Sequence, residues 1–171
     1  MKLLTAKYPQ EIRRILDKYP DGEKQSALMP LLYLAQRESG HISREAMEEI
    51  ASILDISVTD VSSVAGFYSL FHEEAGGRYR IQVCTDLPCA LRGSEQFLHG
   101  ICDYLGINSG ETSSDGIFTV EEVKCLASCH HAPVLQVQGD GDISYHMDMT
   151  LETAQKLVDS LRVEAQKGGK E

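Results

Sequence analysis

Positive charge is scarce in this chain, and the shortage narrows what it can bind. Sixteen Lys and Arg residues stand against 26 Asp and Glu, a formal charge of -10. An electrostatic grip on a phosphate backbone is therefore not expected, and nucleic acid is set aside as a partner. No apolar run approaches the ~18 residues that a membrane helix needs. Met1-Lys2-Leu3-Leu4 is too short for a signal peptide, so the expectation is a cytoplasmic protein with no direct membrane insertion. Internal repeats and low-complexity tracts are absent. No glycine-rich phosphate loop or G-x-G-x-x-G follows a strand-like segment, which leaves the chain without a dinucleotide site of its own. The five cysteines are an odd number without a secretory signal and include no C-x-x-C, which argues against a disulfide framework and a dithiol redox pair.

Four of the five cysteines form two short pairs, Cys84-Thr-Asp-Leu-Pro-Cys89 and Cys125-Leu-Ala-Ser-Cys129, with 35 residues between them. Two thiolate pairs brought together supply four soft anionic sulfurs, a set that suits a tetrahedral zinc ion or an iron-sulfur cluster. The inner spacings of four and three differ from the C-x2-C knuckles of most structural zinc sites. Spacing alone thus favours a cluster, with zinc and free thiols still open. Cys102 belongs elsewhere. It shares the helical stripe of Phe97, Leu98, Ile101 and Leu105, where free cysteine behaves as a small hydrophobe.

Residues 1–75 read as helices only. Ile12, Ile15, Leu16 and Tyr19 mark one stripe, stopped by Pro20-Asp21-Gly22. Leu28, Leu31, Leu32 and Ala35 mark a second that contains Pro30. Ser43 caps a third with Met47, Ile50, Ala51 and Leu54. Ser57 with Asp60 resembles a capping box opening a fourth, with Val61, Val64, Ala65, Tyr68 and Phe71 inward. From Gly76-Gly77, the expected boundary, the period changes to two. Tyr79, Ile81 and Val83 alternate with polar residues into Cys84. A helix carries Phe97 and Ile101 as far as Gly106, and Asp115-Gly116 turns into a strand that delivers Cys125. Val134–Val137 and Ile143–Tyr145 form a hairpin across Gly139–Asp142, and Thr150 caps a last helix. The tail from Glu164 reads as frayed, and Glu121-Glu122 as a solvated strand face. The fold class is α+β: an N-terminal helical bundle over residues 1–75, then an α/β domain over 76–171.

The two cysteine motifs, Gly110–Gly116, Ala132-Pro133 and the segment Val64-Ala-Gly-Phe-Tyr-Ser-Leu-Phe71 ahead of Tyr79–Cys84 resemble the thioredoxin-like 2Fe-2S subunit of respiratory complex I, NADH-quinone oxidoreductase. The resemblance spans roughly Tyr19 to Leu161. It implies a thioredoxin-like ferredoxin domain whose Cys84, Cys89, Cys125 and Cys129 bind one 2Fe-2S cluster. It also implies electron transfer beside a flavoprotein subunit that holds FMN and NADH, within a larger complex whose other subunits make this chain peripheral to the inner membrane. This chain would be a subunit of an NADH:quinone oxidoreductase with no complete active site of its own. An equivalent diaphorase subunit of an NAD-linked hydrogenase or formate dehydrogenase is the alternative that the sequence does not separate from it, and a zinc-stabilised non-enzymatic adaptor is the alternative from another class. His130 and His131 are expected in an exposed loop rather than as ligands. Pro133 stands where thioredoxin-like folds carry a cis-proline, although cis X-Pro bonds are a minority. Ala127 takes a position where the family usually has glycine, and alanine is strained there if the backbone turns left-handed.

Overall fold

The computed structural model describes residues 4–168, in two compact units that divide between Ala75 and Gly76. The first contains α1 (Leu4–Lys7), α2 (Pro9–Leu16), a 3-10 turn (Lys24–Ala27), α3 (Leu28–Ser39), α4 (Arg44–Leu54) and α5 (Val58–Phe67). Their apolar stripes meet in one core that includes Ile12, Ile15, Leu28, Leu31, Leu32, Ile50, Leu54 and Val61. Each leucine buried this way contributes roughly 1.5–3 kcal/mol. Pro30 sits in the first turn of α3, where no intrahelical bond is lost. Ser43 Oγ accepts from Ala46 N at 3.2 Å, and Ser57 and Asp60 form the full capping box.

Three details differ from the sequence reading. The short helix α1 has no counterpart in it. The first amides of α1 lack intrahelical partners, and the buried Glu49 carboxylate accepts from Leu4 N at 2.9 Å and Thr5 N at 2.8 Å, which holds the turn in place. Tyr19 lies beyond the end of α2, because Pro20 and Gly22 stop the chain there. Tyr68 follows α5 and stays half exposed rather than pointing inward. No single helix among the described residues is long and apolar enough to cross a membrane.

The second unit runs β1 (Tyr79–Cys84), α6 (Leu87–Ala90), α7 (Ser94–Leu105), β2 (Phe118–Val123), a 3-10 turn (Cys129–His131), β3 (Leu135–Gly139), β4 (Asp142–His146) and α8 (Leu151–Gly168). The sheet order is β2-β1-β3-β4, with β1 and β2 parallel and the other pairs antiparallel. Tyr79, Ile81, Val83, Phe118, Val120, Leu135 and Val137 form one face, packed with Phe97, Leu98, Ile101 and Cys102 of α7 and Ala154 and Val158 of α8. Cys102 is thus a core residue. The segment from Glu164 continues α8 to Gly168 instead of fraying, and residues 169–171 lie outside the described part.

The opposite face of the sheet is polar yet buried, which simple alternation did not indicate. Gln136 and Gln138 both donate to Gln82 Oε1, at 2.5 and 3.0 Å, Gln82 donates to Glu121 at 3.0 Å, and Arg80 pairs with Glu121. Glu121 is therefore tied into this network rather than solvated. Glu122, one residue on, points to the other side of the pleat and is exposed. The glycine pair at the boundary is also packed: a Cβ on Gly77 would stand 2.7 Å from the Ile117 carbonyl.

Candidate metal centre

Parallel pairing decides where the cysteines go. Because β1 and β2 run side by side in the same direction, their carboxyl ends share one edge of the sheet, the usual place for a site in an α/β layer. Cys84 is the last residue of β1 and pairs with Val123, and Cys125 follows two residues past Val123. Thr85 N donates to Val123 O at 3.0 Å and closes the two strand ends together. Cys84 N donates to Val134 O at 3.0 Å, which brings the segment after Pro133 alongside.

Each pair is then set by its own local structure. Cys89 lies in α6, a single turn begun by Asp86 and Pro88 and closed by bonds from Ala90 N to Asp86 O and Leu91 N to Leu87 O. The sequence reading assigns no helix between Cys84 and the stripe of Phe97. Aspartate at the cap with proline just inside the helix is the signal that marks the turn. Cys84 and Cys89 are each 2% exposed and pack with Ala132. The second pair is open to solvent: Cys125 and Cys129 are exposed, with their sulfurs 3.9 Å apart. Between them Ala127 has φ 59°, in the left-handed region, and its N-H donates to Cys125 Sγ at 3.3 Å. The strain anticipated for alanine is present, at a cost of roughly 1–2 kcal/mol.

The sulfurs feel one another. Burial first, then a hydrogen bond with Cys84 and the neighbouring sulfur charges, push the Cys89 thiol up to about 11. Hydrogen bonding with Cys125, then burial and the charges of Cys125 and Cys84, raise Cys129. Thiols crowded in this way hold their protons against one another until cations neutralise them. Among the described residues no three His, Cys, Asp or Glu side chains converge closely enough to hold one metal ion. The four thiols, in two pairs at one sheet edge, are the donor set of a two-iron centre or of a tetrahedral zinc.

The surroundings hold the loops in place. Ala132-Pro133 is a cis peptide. His130 is exposed, as expected, whereas His131 is only partly exposed, and their rings lie 4.2 Å apart. His131 Nδ1 lies 2.8 Å from Asp148 Oδ2, and Asp148 N donates to His131 O at 2.8 Å, so the second cysteine loop is fastened to the approach to α8. No local pattern points to Asp148, because 17 residues separate it from its partner.

Fold and site together define an α/β domain with two cysteine pairs at one edge of its sheet, preceded in sequence by a helical unit. The family model described as "Thioredoxin-like [2Fe-2S] ferredoxin" matches residues 12–162, and the chain belongs to that family. It is 41% identical over 153 residues to an NADH-quinone oxidoreductase subunit of Rhizobium meliloti, covering 90% of this chain and 88% of that one. It is 44% identical over 123 residues to NADH-quinone oxidoreductase subunit 2 of Thermus thermophilus, covering 72% and 68%. A solved NAD+-reducing [NiFe]-hydrogenase in the air-oxidized state shares the fold, with TM-score 0.65 and 16% identity over 78% of this chain and 23% of that chain.

Proposed function

We propose that this chain is the 2Fe-2S electron-transfer subunit of an NADH-quinone oxidoreductase, with Cys84, Cys89, Cys125 and Cys129 as the four ligands. The observation that carries this reading is the delivery of two cysteine pairs to one sheet edge in a member of this family. The centre, when bound, stores one electron at a time. The residues do the rest. β1 and α6 hold Cys84 and Cys89 out of water, the Ala127 amide is aimed at a sulfur, and His131 with Asp148 fixes the second loop. Nicotinamide gives up two electrons together, so a flavin must stand between it and a one-electron centre. FMN and NADH then belong to a flavoprotein partner. The helical unit, residues 1–75, serves as the assembly part, and the protein lies on the cytoplasmic side, attached to the membrane through its partners.

Relatives at above 40% identity carry the NADH-quinone oxidoreductase name, whereas the likeness to the hydrogenase is one of fold, and this supports the respiratory reading over a hydrogenase or formate dehydrogenase diaphorase. Anaerobically prepared protein is expected to contain about two iron and two acid-labile sulfide per chain and to show a one-electron paramagnetic signal on reduction. Stoichiometric zinc instead would establish the adaptor reading. With the flavoprotein partner added, NADH should reduce artificial acceptors, and the chain alone should not.

A further inference from the structure

The strand ends that carry the two cysteine pairs are bridged by three side chains outside the ligand set. Thr85, next to Cys84, donates its hydroxyl to Glu122 Oε1 at 2.6 Å. Lys124, next to Cys125, donates to Thr85 Oγ1 at 3.3 Å and pairs with Glu122. A cation next in sequence to Cys125 is thereby bonded to the residue that follows Cys84. An exposed lysine is cationic at neutral pH.

Reduction of a thiolate-bound centre adds one negative charge, and a fixed cation beside the sulfurs stabilises the reduced form more than the oxidised one. We propose that Lys124 raises the reduction potential of this site, with Glu122 as its opposing charge and Thr85 as its tether. This rests on the reading of the four cysteines as a redox centre. Lys124 tunes the site from outside it, without touching the reacting atoms. Its side chain is 73% exposed, so the effect is modest and screened by salt.

The test is a redox titration of the full-length, cluster-containing protein, followed by the visible spectrum and by paramagnetic resonance. Lys124→Gln is expected to lower the reduced-to-oxidised ratio at fixed potential about threefold. At about 59 mV per tenfold for a one-electron couple, this is roughly 30 mV. Glu122→Gln should shift the potential the opposite way, Lys124→Arg should restore it, and Thr85→Val should fall between wild type and Lys124→Gln. All of the shifts should shrink at high salt. An unmoved potential in Lys124→Gln at low salt overturns the proposal. A shift of the same sign in Lys124→Gln and Glu122→Gln overturns it too, since that would mean a structural role for the bridge. Wild-type protein without a cluster signal overturns the redox reading and this proposal together, whereas a normal cluster with an unresponsive potential overturns this proposal alone.

Discussion

The two units of this chain are held together in different ways. The helical unit rests on leucine and isoleucine stripes, caps at Ser43 and Ser57, and a glutamate that seals the start of α1. The sheet unit also has an apolar core under α7 and α8, but the ends of β1 and β2 lead into four thiols and a left-handed alanine, and the other face of the sheet carries a buried glutamine network. Ordinary packing accounts for the first unit. In the second, the proposed centre would be a group that the side chains alone do not supply, and the stability of the strand ends should depend on it.

Iron removal is the largest expected perturbation, and it should separate the two. Stripping the metal under reducing conditions should lower amide protection near Cys84–Ala90 and Lys124–Pro133 while leaving the amides of α3 to α5 unchanged. Hydrogen exchange measures this, and an equal loss in both units would break the distinction. Leu31→Ala should act in reverse, destabilising the helical unit by about 2–5 kcal/mol while iron content stays at the wild-type value. Cys102→Ala should likewise leave the iron in place, because that thiol lies in the α7 core. Ala127→Gly should stabilise the second cysteine loop by about 0.5–1 kcal/mol, read from the temperature at which the visible bands bleach. The smallest effect is acid. Two hydrogen bonds from Arg78, at 2.8 Å each, and one from Tyr79 hold Asp140 below its ordinary value. Its contribution is therefore present above the unfolded-state value near pH 4 and fades as the pH falls through the lower folded value. Asp140→Asn should remove that fading in the sheet unit, a change of a few tenths of a kcal/mol because the pair is half exposed.

Local chemistry made much of this visible in the sequence. The caps at Ser43 and Ser57, the strand into Cys84, the stop at Gly106 and the core position of Cys102 all follow from spacing and from residue type. The cysteine pairs were visible for the same reason. What stayed hidden depends on contacts distant in sequence. The polar face of the sheet looks like an ordinary solvated face until strand order places Gln82 beside both Gln136 and Glu121. Glu49 reads as one more surface acid on a helix, and only tertiary packing brings it to Leu4 and Thr5. The Thr85, Glu122 and Lys124 bridge needs the parallel register of β1 and β2, which no local pattern specifies.

Chemical wear will not fall evenly on the four sulfurs. Oxidants arriving from solvent meet Cys125 and Cys129 first, while Cys84 and Cys89 lie behind Ala132 at 2% exposure. With no metal bound, the two outer sulfurs, 3.9 Å apart, have each other at hand as a trap for a sulfenic acid. A disulfide formed there is opened again by an ordinary thiol, whereas further oxidation of an isolated cysteine is not reversed in this way. Oxidative damage therefore begins at the end of the site where it can be mended.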